Sequence, residues 1–336
     1  MKGNQINPRF IQMLTGRKKE DVKENPSIVD LKSDHTKVIV ENRESLRPES
    51  LNSFKLKCGH CNQNGIYEVG KVAINVMDKK KPTHEDFQLN GYFRCKHCNA
   101  AGDWELPTDL MMLGITAMIT PEKMADRCFV GKNAMFDGSS HRFATDGEEH
   151  LLDLLEQNPK DAFLWNRLGN LFQTCGRPEL AAASFEKSIS YQPDQLESQY
   201  SLGFLFEDVG EFEKAADHYE KVLIAAESYK EFDAPKLRDM LASTLNLLFC
   251  IHLKTDETIP FLSEYVRDRI SEVVQFKFTR VLDWNPVLDP ADYTTFYPLA
   301  EAFMGEQSKQ IPKSEQVNLP SSGSGKKKKR KKRRKR

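Results

Sequence analysis

Shifted by 34 positions, the sequence matches itself between residues 159 and 227. Leu168 meets Leu202, Gly169 meets Gly203, Phe172 meets Phe206 and Gly176 meets Gly210. Pro159 meets Pro193, Ala181 meets Ala215, and Phe185 meets Tyr219. A period of this length holds two helices and their turns. The small residues, glycine in the first helix and alanine in the second, let two antiparallel helices approach closely, while the large apolar residues fill the space beside them. The glycine before each second helix ends the first one, because it takes the left-handed conformation at little cost. A single helix pair cannot bury its own faces, so about three units are expected for stability.

The first copy reads Trp165-x-x-Leu168-Gly169-x-x-Phe172, followed by Ala181, Phe185 and Pro193, and it resembles the tetratricopeptide repeat family. The second copy has Gln199 where the family often has tryptophan and Glu227 in place of the closing proline. Clear repeats cover about 160–193 and 194–227. The resemblance implies stacked αα-hairpins whose first helices line a concave, peptide-gripping face. Phe163, Asn166, Asn170, Tyr200 and Phe204 fall at the corresponding positions, the plainer alternative being a solvated helix face. Asn166 stands where chaperone-tail clamps usually carry lysine, and Ser201 does not match their second asparagine, so no such clamp is expected. A helix at 147–157, ending in Asn158-Pro159, fits the second half of a decayed earlier repeat. Thr145-Asp146-Gly147-Glu148 before it has capping-box spacing. Residues 235–253 and 258–282 read as irregular capping helices, since Lys236 and Leu237 replace the expected Leu-Gly.

Four of the seven cysteines form two pairs, Cys58-x-x-Cys61 and Cys95-x-x-Cys98, separated by 33 residues. Two residues between cysteines let a tight turn aim both sulfurs at one point, and two such turns complete a thiolate tetrahedron of the kind zinc prefers. Residues 54–106 alternate in strand fashion between the pairs, with β-formers from Ile66 to Val76. The segment resembles a zinc ribbon, its long gap assigned to a loop at Lys79–Asn90. One structural Zn2+ per chain is expected, held by Cys58, Cys61, Cys95 and Cys98. A filled four-thiolate shell leaves no position for an activated water, and His60 and His97 inside the knuckles read as surface residues. Two unrelated pairs of buried thiols are the alternative.

The last eleven residues, Lys326, Lys327, Lys328, Lys329, Arg330, Lys331, Lys332, Arg333, Arg334, Lys335 and Arg336, are all cationic. They leave 38 cations against 49 carboxylates in the rest of the chain, so a formal net charge of zero conceals a body of about −11. Such a run is expected to be disordered in isolation. Its partners are RNA or DNA phosphates, bound with steep salt dependence, an anionic membrane surface, or the chain's own acidic body. No aromatic residue interrupts the run, so no base readout is expected.

No stretch is apolar enough for a membrane span, and the N-terminus lacks a signal-peptide core. Paired cysteines without a disulfide framework suit a reducing compartment, so a cytoplasmic location is expected, nuclear or nucleolar if the host is eukaryotic. There is no phosphate-cradling glycine loop, G-x-S-x-G elbow or H-E-x-x-H motif, and the remaining histidines are isolated in sequence. Cys175 and Cys250 sit in helical apolar patterns and read as small buried hydrophobes.

The expected fold class is α+β and multidomain, with a small zinc-ribbon-like β unit followed by a mostly helical repeat array. Residues 1–50 read as largely loose, with alternation at Lys37–Val40 allowing a short strand. Residues 51–107 form the four-cysteine module. Residues 108–145 are a mixed connection, in which Leu110–Ile119 is helix or buried strand and Phe136-Asp137-Gly138 is a turn between short strands. Residues 146–306 are the helical domain, and 307–336 a linker with the basic tail. The expected function is a non-enzymatic adaptor that binds a protein through the helical groove and a nucleic acid or ribonucleoprotein through the tail. The alternative is an interaction scaffold whose tail serves localisation or self-masking.

Overall fold

The computed structural model describes residues 5–42, 52–76, 83–283 and 285–315. The chain divides into two compact units, 1–218 and 219–336.

The first unit opens with order where the sequence suggested a loose segment. Helix α1 (Pro8–Thr15) starts on Pro8 and the Asn7 side chain, which accepts from Arg9 N at 3.0 Å, and stops at Gly16, whose φ is +69°. Its apolar face, Phe10, Ile11 and Leu14, is buried, and Phe10 meets Phe172 at 5.0 Å between ring centroids. Arg9 reaches the carboxylates of Glu149, Asp153 and Glu156. Residues 37–40 are not a strand, because they lie in helix α2 (Asp34–Glu41), capped by Ser33.

Strand β1 (Ser53–Cys58) pairs antiparallel with β2 (Asn64–Glu68). The β-forming run from Ile66 is broken at Gly70, whose φ is +66° and whose absent Cβ would lie 2.5 Å from Gly91 N. Beyond that turn, β3 (Val72–Ile74) leaves for a second sheet, where it pairs with β4 (Phe87–Leu89). Strand β5 (Trp104–Glu105) returns to the first sheet beside β1. Residues 108–119 form helix α3 (Thr108–Ile119), followed by the short α4 (Pro121–Met124) and by β6 (Cys128–Val130). β6 runs parallel to β3, so α3 and α4 are its crossover. The two sheets and α3 share one core, in which Leu56, Tyr67, Val72, Phe87, Phe93, Trp104, Leu110 and Phe143 are buried together. A turn forms at 136–138, where Gly138 N donates to Met135 O at 3.0 Å, but no strands flank it.

Helix α5 (Ala144–Gln157) begins a residue before the expected cap. Asp146, not Thr145, holds its start, accepting from Phe143 N at 3.3 Å. Glu148, the other half of the expected capping box, is fully buried elsewhere. The repeats follow as α6 (Ala162–Thr174) with α7 (Pro178–Tyr191), and α8 (Leu196–Asp208) with α9 (Phe212–Ala225). Gly176 and Gly210 end the first helices with φ of +74° and +79°. Trp165 Nε1 donates to Pro159 O at 2.9 Å, and one period later Gln199 Nε2 donates to Pro193 O at 2.8 Å. Glutamine thus keeps the bond that tryptophan makes in the first copy.

That orientation of Gln199 organises its surroundings. With the amide nitrogen committed to Pro193, Oε1 accepts from His218 Nδ1 at 2.7 Å. His218 Nε2 then accepts from His35 Nε2 at 3.2 Å, and His35 Nδ1 faces Glu186 at 3.2 Å. Burial pushes the Glu186 carboxyl up, but the His35 ring and the Ser33 hydroxyl hold it below its ordinary value. This relay fastens α2 to the second helices of both repeats.

In the second unit, α10 (Ala234–Lys254) is capped by Asp233, which accepts from Lys236 N at 2.9 Å. At 21 residues it is longer than a repeat helix. α11 (Glu264–Arg269) and α12 (Glu272–Asp283) precede α13 (Tyr297–Phe303). Leu237, Leu241, Leu245, Leu248 and Ile251 of α10 are buried, as are Phe296, Leu299 and Phe303. Phe249 meets Phe261 and Phe296 at 5.6 and 5.7 Å.

A Cβ on Gly169 would lie 2.4 Å from the Phe185 ring, whereas one on Gly176 meets nothing within 4 Å. Gly169→Val is expected to lower stability by about 1–3 kcal/mol through overpacking. Gly176→Ala is expected to cost about 1 kcal/mol through its backbone alone. Chemical denaturation midpoints of the two variants test this order.

Candidate metal centre and repeat groove

The two cysteine pairs sit in turns of matching form. Cys58 closes β1, and Asn62 N donates back to Cys58 O at 2.8 Å while Cys58 N donates to Gln63 O at 3.0 Å. In the second turn Asn99 N donates to Cys95 O at 2.9 Å and Cys95 N to Ala100 O at 2.8 Å. Asn62 and Asn99 both hold positive φ, 57° and 58°, a conformation asparagine tolerates better than most residues. The Cys-x-x-Cys-Asn repetition is a signal that the sequence reading passed over.

These turns bring the sulfurs of Cys58, Cys61, Cys95 and Cys98 within 4.8 Å of one another. Cys58 and Cys98 are 3.8 Å apart, Cys61 and Cys95 3.5 Å. Four sulfurs at about 2.3 Å from one ion are spaced by about 3.8 Å, so the cluster fits a tetrahedral metal. It does not fit disulfides, whose sulfurs lie about 2.05 Å apart. His60 and His97 are exposed.

The electrostatics of the cluster are uneven. Burial pushes the Cys95 thiol up, but backbone N–H groups of Cys98 and His97 outweigh it and hold the group down at about 6. Burial and the neighbouring thiols push Cys98 up to about 12. The Tyr67 hydroxyl lies 3.8 Å from Cys95 Sγ and accepts from Lys96 N at 3.1 Å. Tyr67 packs on Phe93 and Trp104 at 5.7 and 4.8 Å, an aromatic floor beneath the knuckles.

A buried polar network ties this module to the helices. Arg94 Nε donates to Asn99 O at 3.0 Å, and Arg94 Nη1 reaches Glu148 Oε2 at 3.3 Å. Tyr92 OH donates to the same carboxylate at 3.0 Å, and Tyr92 N to Cys175 O at 3.2 Å. Asn99 Nδ2 donates to Ile6 O and Glu24 O, so the second knuckle also holds the N-terminal segment. Arg177, paired with Glu179 at 2.6 Å, lies 4.8 Å over the Tyr92 ring. Cys175 and Cys128 are buried, and Cys250 is half-buried.

Burial pushes Glu148 up to about 7 despite Arg94. Between pH 4.5 and 7 the folded chain therefore keeps a proton that the unfolded chain releases. The stability this group contributes is complete below about pH 4.5 and falls as pH rises through 7. Glu148→Gln is expected to flatten that slope, by on the order of 2–3 kcal/mol across the window at about 1.4 kcal/mol per unit. Unfolding titrations of parent and variant at several pH values check it.

The groove candidates are divided by the fold. Phe163 and Phe204 are 40% and 39% exposed, and Asn170 and Tyr200 half-buried, on α6 and α8. Asn166 is 0% exposed. Its amide donates to Ser198 Oγ at 2.9 Å and accepts from Asn170 at 3.2 Å, so it joins α6 to α8 and offers nothing to a peptide. The sequence reading missed the segment 133–143, which folds over α6. Phe136 packs edge-on against Phe163 at 5.2 Å, and Arg167 lies 4.5 Å over the same ring. Between that segment and α6 lies a cavity of about 410 Å3, lined by Asn133, Met135 and Phe136 on one side and Arg167, Asn170 and Leu171 on the other. Lys326–Arg336 and the linker before them lie outside the described residues, as do residues 79–82 of the expected loop. Among the described residues no helix is long and apolar enough to cross a membrane.

The tetratricopeptide repeat family matches residues 164–195, which span α6 and α7. Superkiller protein 3 of Saccharomyces cerevisiae is 29% identical over 103 residues, covering 31% of this chain and 7% of that protein. The peroxisomal targeting signal receptor of Kluyveromyces lactis is 28% identical, covering 28% of this chain and 16% of the receptor. The uncharacterized protein ycf37 of Pyropia yezoensis is 28% identical, covering 29% of this chain and 53% of its own length. The chain thus spans a small part of the first two relatives and about half of the third. No solved structure matches it. With its repeated helix pairs, glycine-ended first helices and these similarities, the chain carries a tetratricopeptide repeat at residues 164–195, with a four-cysteine cluster ahead of it.

Proposed function

We propose that this chain is a non-enzymatic adaptor of a reducing, cytoplasmic compartment. In this reading it holds one structural zinc ion and grips an extended protein segment on the first helices of its repeats. The single observation that carries the reading is the cavity between α6 and the segment 133–143. Its volume lies in the range of about 300–1,000 Å3 typical of ligand sites. Met135, Phe136 and Leu171 would receive an apolar side chain, while Asn133 and Asn170 offer amides to a peptide backbone. Phe163, Tyr200 and Phe204, on α6 and α8, would extend the gripping face beyond the cavity. The similarity to a protein named as a targeting-signal receptor favours a short peptide as ligand.

Cys58, Cys61, Cys95 and Cys98 would hold the zinc ion, which supplies no chemistry beyond fixing the two turns. The metal's contribution is on the order of 10–16 kcal/mol in small zinc-dependent units. Here the knuckles share their core with α3 and the second sheet, so its removal should loosen the first unit without abolishing every helix. The Arg94–Glu148 and Tyr92–Cys175 contacts would transmit that loosening to the repeat.

The run Lys326–Arg336 would hold the adaptor on RNA or DNA through phosphate contacts alone. The competing reading, a scaffold whose tail serves localisation or masks the acidic body, rests on the same charge asymmetry.

Elemental mass spectrometry of protein purified without chelator is expected to give about one zinc per chain. Cys95→Ser should lose it together with the Tyr67–Trp104 packing, read by near-ultraviolet circular dichroism. A metal-free parent would overturn the zinc assignment. Peptides selected from a displayed random library on the parent chain should fail to bind Leu171→Glu. Equal binding by that variant would remove the cavity from the function. Deleting 326–336 should abolish salt-sensitive binding to mixed-sequence RNA and DNA, and a parent that binds neither supports the scaffold reading.

A further inference from the structure

α3 is the helix whose composition its own packing leaves unexplained. Nine of its twelve residues are apolar or glycine, and a helix apolar on all sides is normally enclosed on all sides. Only one face is enclosed: Leu110, Leu113, Gly114 and Ala117 lie on the core. The contact is close, since a Cβ on Gly114 would sit 2.6 Å from the Phe87 ring. On the outer face Met112, Ile115 and Ile119 are 57%, 40% and 74% exposed, with Met111 and Met118 half-buried at its edges. The two hydroxyls on this helix end are taken up by backbone carbonyls one turn back, Thr116 by Met112 O at 2.8 Å and Thr120 by Thr116 O at 3.1 Å. What remains is a dry stripe of isoleucine and methionine, and methionine adapts its shape to different partners.

The charges at its ends select the occupant. Asp109 stands one turn before Met112, and Glu122 and Asp126 lie three and seven residues beyond Ile119, all three exposed. None of the three takes part in an ion pair among the described residues, and the cations beside the last two are Lys123 and Arg127. A second copy is disfavoured. Two copies stacked on this face would bring the exposed carboxylates Asp109, Glu122 and Asp126 of one copy towards those of the other. An anionic bilayer is disfavoured by the same carboxylates.

We propose that the outer face of α3 docks a basic amphipathic helix of a partner protein, with its apolar residues on Met112, Ile115 and Ile119 and its cations on Asp109, Glu122 and Asp126. The partner helix would lay its apolar face along α3, with anchors at i, i+3 or i+4, and i+7. It is independent of the repeat groove and of the zinc assignment.

The test uses the full chain and two fluorescent synthetic helices. One carries leucines at i, i+3, i+4 and i+7 with lysines between them, and the other has glutamates in place of the lysines. In anisotropy titrations the lysine helix is expected to bind and the glutamate helix not. Ile119→Asp should weaken the lysine helix by about tenfold or more, although it adds a negative charge, so the loss reports apolar docking. Because Ile119 is largely exposed, the variant should keep the parent's thermal transition. The triple variant Asp109→Lys, Glu122→Lys, Asp126→Lys should reverse the preference between probes. Equal binding of both probes, or undiminished binding by Ile119→Asp, overturns the proposal. So does a parent dimer in sedimentation that Ile119→Asp dissociates, which assigns the face to a second copy. Flotation of the parent, but not of Ile119→Asp, with phosphatidylcholine–phosphatidylglycerol vesicles overturns it in favour of a membrane.

Discussion

A carboxylate removed from water costs several kcal/mol unless other groups compensate it, and Glu148 is removed completely. Its compensation comes from Tyr92 and Arg94, residues just before the second cysteine pair. Tyr92 in turn takes the carbonyl of Cys175 at the end of α6, and Arg94 fixes the turn at Asn99. Module, α5 and first repeat are therefore satisfied together or not at all. A polar centre of this kind fixes how elements meet, because an apolar contact tolerates sliding and a set of directed bonds does not.

The same logic explains why the four-cysteine segment is not a free-standing ribbon. A two-hairpin sheet has little core, and here β3 leaves it to pair with β4 and, in parallel, with β6. The residues between the module and the repeats supply α3 as crossover and Phe143 as part of the shared core. They also supply the segment 133–143, which walls the cavity above α6. What looked like connection in the sequence builds both the support of the four-cysteine cluster and one wall of the cavity beside α6.

Much of the repeat was legible because its constraints are local. Gly169 must be small where Phe185 crosses, and Gly176 must take a left-handed turn. Trp165 and Gln199 sit where a side-chain donor can reach the carbonyl six residues back. The cysteine pairs were legible for a like reason, since two intervening residues suffice to aim two sulfurs together. Asn166 was misread because its helix position suits a groove, while only the neighbouring helix shows that Ser198 claims its amide. The helices at 8–15 and 34–41 were missed because each is only eight residues long, too short to show a clear period, and their polar residues reach distant carboxylates, Glu149 and Glu186.

By itself the sequence determined the repeat period, the two Cys-x-x-Cys turns and the separation of a cationic end from an acidic body. These follow from spacing and charge along a chain, and short-range sterics enforce them. Tertiary structure alone decided that the N-terminal helices clasp the repeats, that Glu148 joins the module to α5, and that residues 133–143 overhang α6. Each of these depends on partners from about thirty to more than one hundred and fifty residues away. Bonds over such distances form only when the whole chain places both partners, and nothing in the local pattern of either one records them.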